Sequence, residues 1–326
     1  MENENIIGEG FEQKPRRMLT RTTKRNIFYI SVIAWFVLHV LVFYVYINLS
    51  MFTLAFEQYY EEGGRLLSKF AGFENFKKVF QILTSENGWQ MIKVSALMFC
   101  FHMGVGTVLA LFLSYYVYKK LFLGEFFRVI LFLPSIISAV VMITLYKYMV
   151  NDMYIYISEE WFGKEVIGLL MGEMDTRMLA IIIYNLWMGY GRDVLLYTGA
   201  MSGISESIVE ASELDGCSAM QEFWHITLPC IFPTLITFII GGFANFFTNT
   251  LHIYTFAGET SDIQSVGYYL YIKNIKSASV GYLPDRSGKH LNYSEISALG
   301  LIITAITLPV VLTVRYLLNK FGPSVD

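Results

Sequence analysis

EASELDGCSAMQEFWHITLPCIFPT, residues 210–234, lies between two long apolar runs and decides how the rest of the chain is read. It carries Glu210, Glu213, Asp215 and Glu222, a glycine at 216, and no lysine or arginine. Just upstream, Ser207-Ile-Val-Glu210 fits a capping box, in which serine and glutamate satisfy each other's orphan amides at a helix start. Glycine reaches the left-handed conformation cheaply, so this helix is predicted to stop at Asp215-Gly216. Ser218-Ala-Met-Gln221 fits a second capping box, and Met220, Phe223, Trp224 and Thr227 recur at helical spacing as an apolar stripe. Leu228-Pro229 is predicted to end the second helix, because the residue before proline is steered out of the helical region. The segment reads as helix, glycine elbow, helix. Each arm is shorter than the dozen or so residues that stand alone in water, so both need something to pack on. Two readings fit: a docking element for a partner, or a helical hairpin lying on a membrane surface.

The surroundings are oily. Hydrophobic residues make up 55% of the 326 residues and charged residues 16%, against about a quarter charged in soluble domains. The apolar residues cluster in runs near the ~20 residues that cross a bilayer core. This is the composition of a polytopic membrane protein, in contact with lipid. The net charge of -3 says nothing in favour of nucleic acid, no basic patch with interleaved aromatics appears, and no nucleic-acid partner is expected. Cys100, Cys217 and Cys230 have no metal-ligand or disulfide spacing and read as small hydrophobes, so no metal and no cofactor is expected. KPRRMLTRTTKR precedes the first apolar stretch, which is long and lacks a small-residue cleavage site; it reads as a retained span.

Six spans are predicted, at about 26–49, 91–117, 126–150, 176–200, 230–256 and 295–318. Each helix would satisfy its own backbone hydrogen bonds where no water can. Lys14, Arg16, Arg17, Arg21, Lys24 and Arg25 put the N-terminus in the cytoplasm, and six crossings return Arg315 and Lys320 to that side. Residues 201–229 would then be cytoplasmic. Loops near 50–90, 151–175 and 257–294 would be external, forming caps or short helices.

Asn245, Asn249 and His252 fall at i, i+4 and i+7, one polar stripe on the predicted fifth span. Polar groups at membrane depth line a water-filled route or hydrogen-bond between helices. Asn185, Gly189 and Arg192 share a face of the fourth span beside Trp187 and Tyr190. Arg192 either snorkels, pairs near Asp193, or reaches a solute. His39 and His102 read as lone span histidines satisfied within the bundle. The candidate pathway residues are therefore Asn185, Trp187, Tyr190, Asn245 and Asn249. Aromatic residues at 16% do not identify a sugar, because membrane proteins place Tyr and Trp at both interfaces. No paired acids, His cluster or nucleophile with its base supports an embedded enzyme, no inverted repeat supports a secondary transporter, and no G-x-x-x-x-G-K-[ST] loop is present to cradle nucleotide phosphates.

The acidic segment resembles the EAA motif, E-A-A-x-x-x-G followed after nine residues by I-x-L-P, of the permease subunits of binding-protein-dependent type I ABC importers. Glu210, Ala211, Ser212, Gly216, Ile226, Leu228 and Pro229 stand at that spacing, with Asp215 before the glycine; Ser212 replaces an alanine. FAGFENFKKVF (70–80), FRVILFLPSIISAVVMITLYKYMV (127–150) and NLWMGYGRDVLLYTGAMSGIS (185–205) are similar to elements of the carbohydrate, maltose-transporter-type branch. That branch's G-G-G-P element is missing, and AGETSDIQSVGYYLY stands in its place. The resemblance implies an all-α polytopic membrane helical bundle with six transmembrane helices and a cytoplasmic helix-turn-helix coupling segment. It implies a basic cytoplasmic tail over 1–25, the importer transmembrane domain over 26–326, and coupling through 205–229. It further implies a non-catalytic subunit of the cell membrane, working with a cytoplasmic ABC ATPase dimer, a second permease, an extracellular solute-binding protein and a carbohydrate, an oligosaccharide by preference. The same architecture also carries glycerol phosphate, polyamine or another small solute. Glu210, Ala211, Ser212, Asp215, Gly216, Phe223, Ile226, Leu228 and Pro229 are the implied ATPase-docking set, with Glu210 an anchor, Gly216 the elbow, and Phe223 and Trp224 hydrophobic contacts.

Overall fold

The computed structural model describes residues 20–62, 65–279 and 293–323; Lys14, Arg16 and Arg17 of the basic tail lie outside them. The chain divides into two compact units, Met1–Thr53 and Leu54–Asp326. In the first, helix α1 (Arg21–Phe56, whose last residues begin the second unit) starts at Thr20, whose side-chain oxygen accepts from the Thr23 amide. It is apolar on all faces and exposed throughout its most hydrophobic window, as for a helix surrounded by lipid or by other apolar surfaces.

The second unit is mostly helical, with one departure from the all-α expectation. Strands β1 (Glu57–Glu62) and β2 (Arg65–Phe70) form an antiparallel hairpin with Glu57 opposite Phe70. The buried Asn75 fixes its base: the Nδ2 group donates to the carbonyls of Ala55 at 2.9 Å and Glu57 at 2.8 Å. Asn75 belongs to the amphipathic α2 (Glu74–Thr84). There follow α3 (Glu86–Tyr118), α4 (Gly124–Ile136), α5 (Ala139–Phe162), α6 (Met174–Met201), α7 (Glu206–Leu214), α8 (Ala219–Asn245), α9 (Ile253–Ala257), α10 (Val266–Ser279) and α11 (Tyr293–Phe321).

Among the described residues α1, α3, α8 and α11 are long and apolar enough to cross a membrane. The predicted third span is not one rod. Ile137 and Ser138 leave helical geometry, so α4 and α5 meet at 108° and give a fifth crossing only if taken together. Apolar content cannot register two residues of extended backbone. Helix α6 is long enough at 28 residues, but Asp175, Arg177, Arg192 and Asp193 interrupt its hydropathy. The predicted fifth span ends at Asn245, not Phe256; residues 246–252 turn back before α9.

Helix α6 is central, packing on α3, α4 and α8. One apolar cluster, including Tyr146, Tyr184 and Phe256, gathers where α5, α6 and α9 meet; another, including Tyr115, Tyr197 and Phe223, joins α3, α6 and α8. Gly191 sets the α4–α6 approach, because a Cβ there would strike the Leu131 carbonyl. Gly191→Val is therefore expected to cost about 1–3 kcal/mol by overpacking, read as a lower thermal midpoint of the detergent-solubilised protein. An unchanged midpoint would mean the two helices do not meet at this glycine.

Candidate functional site: an acidic elbow and a polar cavity

The acidic segment folds as an elbow for local reasons. Helix α7 ends in a Schellman motif. The Gly216 amide donates to the Glu213 carbonyl at 3.1 Å and the Cys217 amide to the Ser212 carbonyl at 3.0 Å, with Gly216 left-handed at φ +77°. The second capping box forms: the Ser218 amide donates to Gln221 Oε1 at 2.9 Å, and Ser218 Oγ accepts from the Gln221 amide. The first box does not. Ser205 and Ser207 bond to each other through their hydroxyls at 2.8 Å, and α7 starts at Glu206 with Ser205 as its cap residue, so Ser207 is not free to cap.

Pro229 does not stop the second arm either. Leu228 keeps helical geometry, and a π-helical turn over Phe223–Thr227 leads directly into the rest of α8. A proline ring in an α-helix clashes with the carbonyl four residues back; here it follows a widened turn. The arm and the membrane helix are one continuous element.

Glu210, Ala211, Asp215 and Gly216 are exposed, and a Cβ at Gly216 would meet nothing within 4 Å. Ser212 is buried and satisfies its hydroxyl on the Val209 carbonyl at 2.7 Å, which explains why serine can stand where the motif has alanine. Phe223 faces inward, 2% exposed, its ring stacked on Phe112 at 5.0 Å and meeting Tyr115 edge-on at 5.1 Å. Ile226, Leu228 and Pro229 are half-buried. The outward apolar groups are Leu214, 89% exposed, with Met220 and Trp224, and sequence reasoning had passed over Leu214.

It also missed the cation beneath the elbow. Lys119, just past the end of α3, places Nζ 2.9 Å from Glu222 Oε2 and 3.3 Å from Glu213 Oε1. The Glu213 contact is solvent-exposed and worth about 0–1 kcal/mol. Glu222 is different. Its side chain is 3% exposed and, among the described residues, its Oε1 is buried without a partner, so removing Lys119 alone would strand a buried charge at a cost of about 3–5 kcal/mol. The clue was available: a segment with five acids and no Lys or Arg needs a cation from outside, and Lys119 and Lys120 stand at the end of the second span.

The pathway residues divide. Asn185, Asn245 and Asn249 line a cavity of about 930 Å³ with His102, Gly189, Arg192, Asp193 and His252. Trp187 instead packs in the α5–α6 cluster beside Tyr146, and Tyr190 donates its hydroxyl to the Leu109 carbonyl at 3.0 Å. The predicted helical stripe of Asn245, Asn249 and His252 does not exist as such. A turn, with Leu251 and His252 at φ +54° and +56°, brings the three side chains to the cavity wall. Asn185 holds that turn by donating to the Leu251 carbonyl at 3.1 Å, and Asn249 Oδ1 accepts from the Leu251 amide at 3.0 Å. Asn245 donates only within its own helix, to Gly241. His102 is not alone: its Nε2 lies 3.7 Å from Asp193 Oδ2, while Arg192 Nε lies 3.4 Å from Asp193 Oδ1. Residues 102 and 193 are too far apart in sequence for spacing to pair them.

The sequence profile of the family described as "Binding-protein-dependent transport system inner membrane component" matches residues 103–326. The polygalacturonan/rhamnogalacturonan transport system permease protein YteP of Bacillus subtilis is 24% identical, over 95% of this chain and 93% of its own length. The arabinooligosaccharides transport system permease protein AraP of Halalkalibacterium halodurans is 23% identical, over 96% of this chain and 97% of its own. A solved bacterial alginate ABC transporter, in complex with an alginate pentasaccharide-bound periplasmic protein, contains a chain of the same fold: TM-score 0.72 at 18% identity, covering 92% of this chain and 96% of that one.

Partial burial works to lower the Lys119 pKa, but its hydrogen bonds to Glu222 and Glu213 outweigh this and raise it above the ordinary lysine value. A raised pKa in the folded state makes the clamp's contribution full below the unfolded value near ~10.4, and lost only as pH rises through the folded one. Amide-exchange protection of residues 206–222, corrected for intrinsic rates, is thus expected to stay level between about pH 6 and 9. A fall inside that window would assign the hold on the elbow to another group.

Proposed function

Because the chain belongs to the family of binding-protein-dependent transport system inner membrane components, we propose that it is one permease of an ATP-driven carbohydrate importer. It is a transport subunit, not an enzyme. With a second permease it forms the route for an oligosaccharide handed over by an extracellular binding protein, and a separate cytoplasmic ATPase dimer docks on residues 205–229. Both termini face the cytoplasm, and the chain crosses six times, counting α6 and the bent α4–α5 pair with the four apolar helices.

The observation that carries the docking half is the elbow itself. Glu210, Ala211, Asp215 and Gly216 are outward while Ser212 and Phe223 are buried beneath, so an acidic knob with an apolar tip at Leu214 is exposed at the surface. The cavity supports the cargo half. Its opposed charges, Arg192 and Asp193, sit side by side, and the three asparagines offer both donors and acceptors, as a hydroxyl-rich solute needs. The names of the relatives, for polygalacturonan/rhamnogalacturonan and arabinooligosaccharides, support a carbohydrate.

Two measurements separate the halves. Gly216→Val forces a β-branched residue into left-handed backbone at about 1–2 kcal/mol, and Glu210→Lys inverts the knob's charge. In proteoliposomes holding the whole complex, both are expected to insert normally yet lose uptake driven by ATP. Normal uptake in both would remove the docking claim. Asn245→Leu, which disturbs no bond between helices, is expected to lower uptake about tenfold, in line with the loss of one or two hydrogen bonds to a solute; full uptake would move the route away from this cavity.

A further inference from the structure

We propose that Lys119 is a positioning residue that ties both arms of the elbow to α3, and through α3 to the cavity wall. The inference rests on the docking reading of residues 205–229. Glu213 lies on the arm before Gly216 and Glu222 on the arm after it, and the two carboxylates converge on one ammonium at 3.3 and 2.9 Å. A Cβ at Gly216 would touch nothing within 4 Å, and the bend there is closed by the backbone bonds of Gly216 and Cys217. The second arm has further attachments to α3: the Tyr115 hydroxyl donates to the Ala219 carbonyl at 2.9 Å, and Phe223 stacks on Phe112. The ion pair to Glu213 joins the first arm to the same helix end, so one cation contacts both arms across the elbow.

Helix α3 then runs from that end to His102, a cavity-lining residue 17 positions away, or about 25 Å along a helix. A push on the exposed knob reaches the cavity through this one rod as well as through α8. Among the described residues Glu222 Oε1 has no hydrogen-bond partner and Lys119 is the cation paired with this carboxylate, and residues 201–229 supply no Lys or Arg to replace it.

The test uses the importer reconstituted with its ATPase in proteoliposomes. Lys119→Met alone would strand the Glu222 charge and compromise folding, so it is combined with Glu222→Gln. Three quantities are read: ATPase retained on purification, ATP hydrolysed, and solute taken up per ATP. The double variant is expected to keep its ATPase and its hydrolysis while uptake per ATP falls about tenfold, the size of a typical coupling between sites. Lys119→Arg, which preserves the charge, is expected to keep most of the uptake, and Glu213→Gln to lose an intermediate share. Loss of the ATPase from the double variant would overturn the proposal, because Lys119 would then serve assembly and not transmission. Unchanged uptake per ATP in the double variant, with uncoupling in Gly216→Val, would overturn the clamp and leave docking intact. Unchanged uptake in both would overturn clamp and docking together.

Discussion

Inside hydrocarbon no water is available to a bare N–H or C=O, and each unpaired group costs several kcal/mol. Much of the molecule follows from that one restriction. Long helices answer it directly. Where the chain abandons helix between its apolar segments, it has to bring its own partners, and the turn at 246–252 shows how. The Asn185 amide takes up the Leu251 carbonyl, Asn249 takes up the Leu251 amide, and the Ser265 hydroxyl donates to the Asn249 carbonyl at 3.1 Å. Those polar groups leave room between α3, α6 and α8, and the room is the cavity.

Charge obeys a parallel rule. Exposed acids on the elbow need no partner, and Glu210 and Asp215 stand in the open. Glu222 does not have that freedom, and its burial forces a cation to be supplied from another helix. Aromatic packing adds to the seat: the rings of Phe112, Tyr115 and Phe223 lie within about 5 Å of one another in two of their pairs, each such pair worth about 0.5–1.5 kcal/mol. Ionic and apolar contacts are therefore concentrated on the second arm, while the first arm is lightly held.

Sequence patterns read well wherever the cause was local. The Gly216 stop is enforced by backbone geometry within six residues, and the Ser218–Gln221 box by two side chains one turn apart. The same logic failed where neighbours competed: Ser205 captured the Ser207 hydroxyl, and a π-turn before Pro229 allowed a helix that proline should have ended. Hydropathy located the apolar segments but not the break at Ile137–Ser138, nor the end of α8 at Asn245. Asn245 and Asn249 were picked out on a stripe with His252 that the left-handed Leu251 and His252 abolish, and they reach the cavity wall beside Asn185 all the same. His102 with Asp193, and Lys119 with Glu222, join positions about a hundred residues apart, and no spacing rule reaches that far.

Helix α8 runs from Ala219 to Asn245, 27 residues, passing Pro229 directly after the π-turn and carrying Pro233 in its interior. At 1.5 Å per residue it is a lever about 39 Å long. One end is the floor of the elbow and the other the rim of the cavity. A swing of about ten degrees about one end carries the opposite end by about 7 Å, more than the rise of one helical turn, about 5.4 Å. Had the proline interrupted the helix, that displacement would have been absorbed at a joint; the extra residue in one turn of backbone gives the molecule mechanical gain.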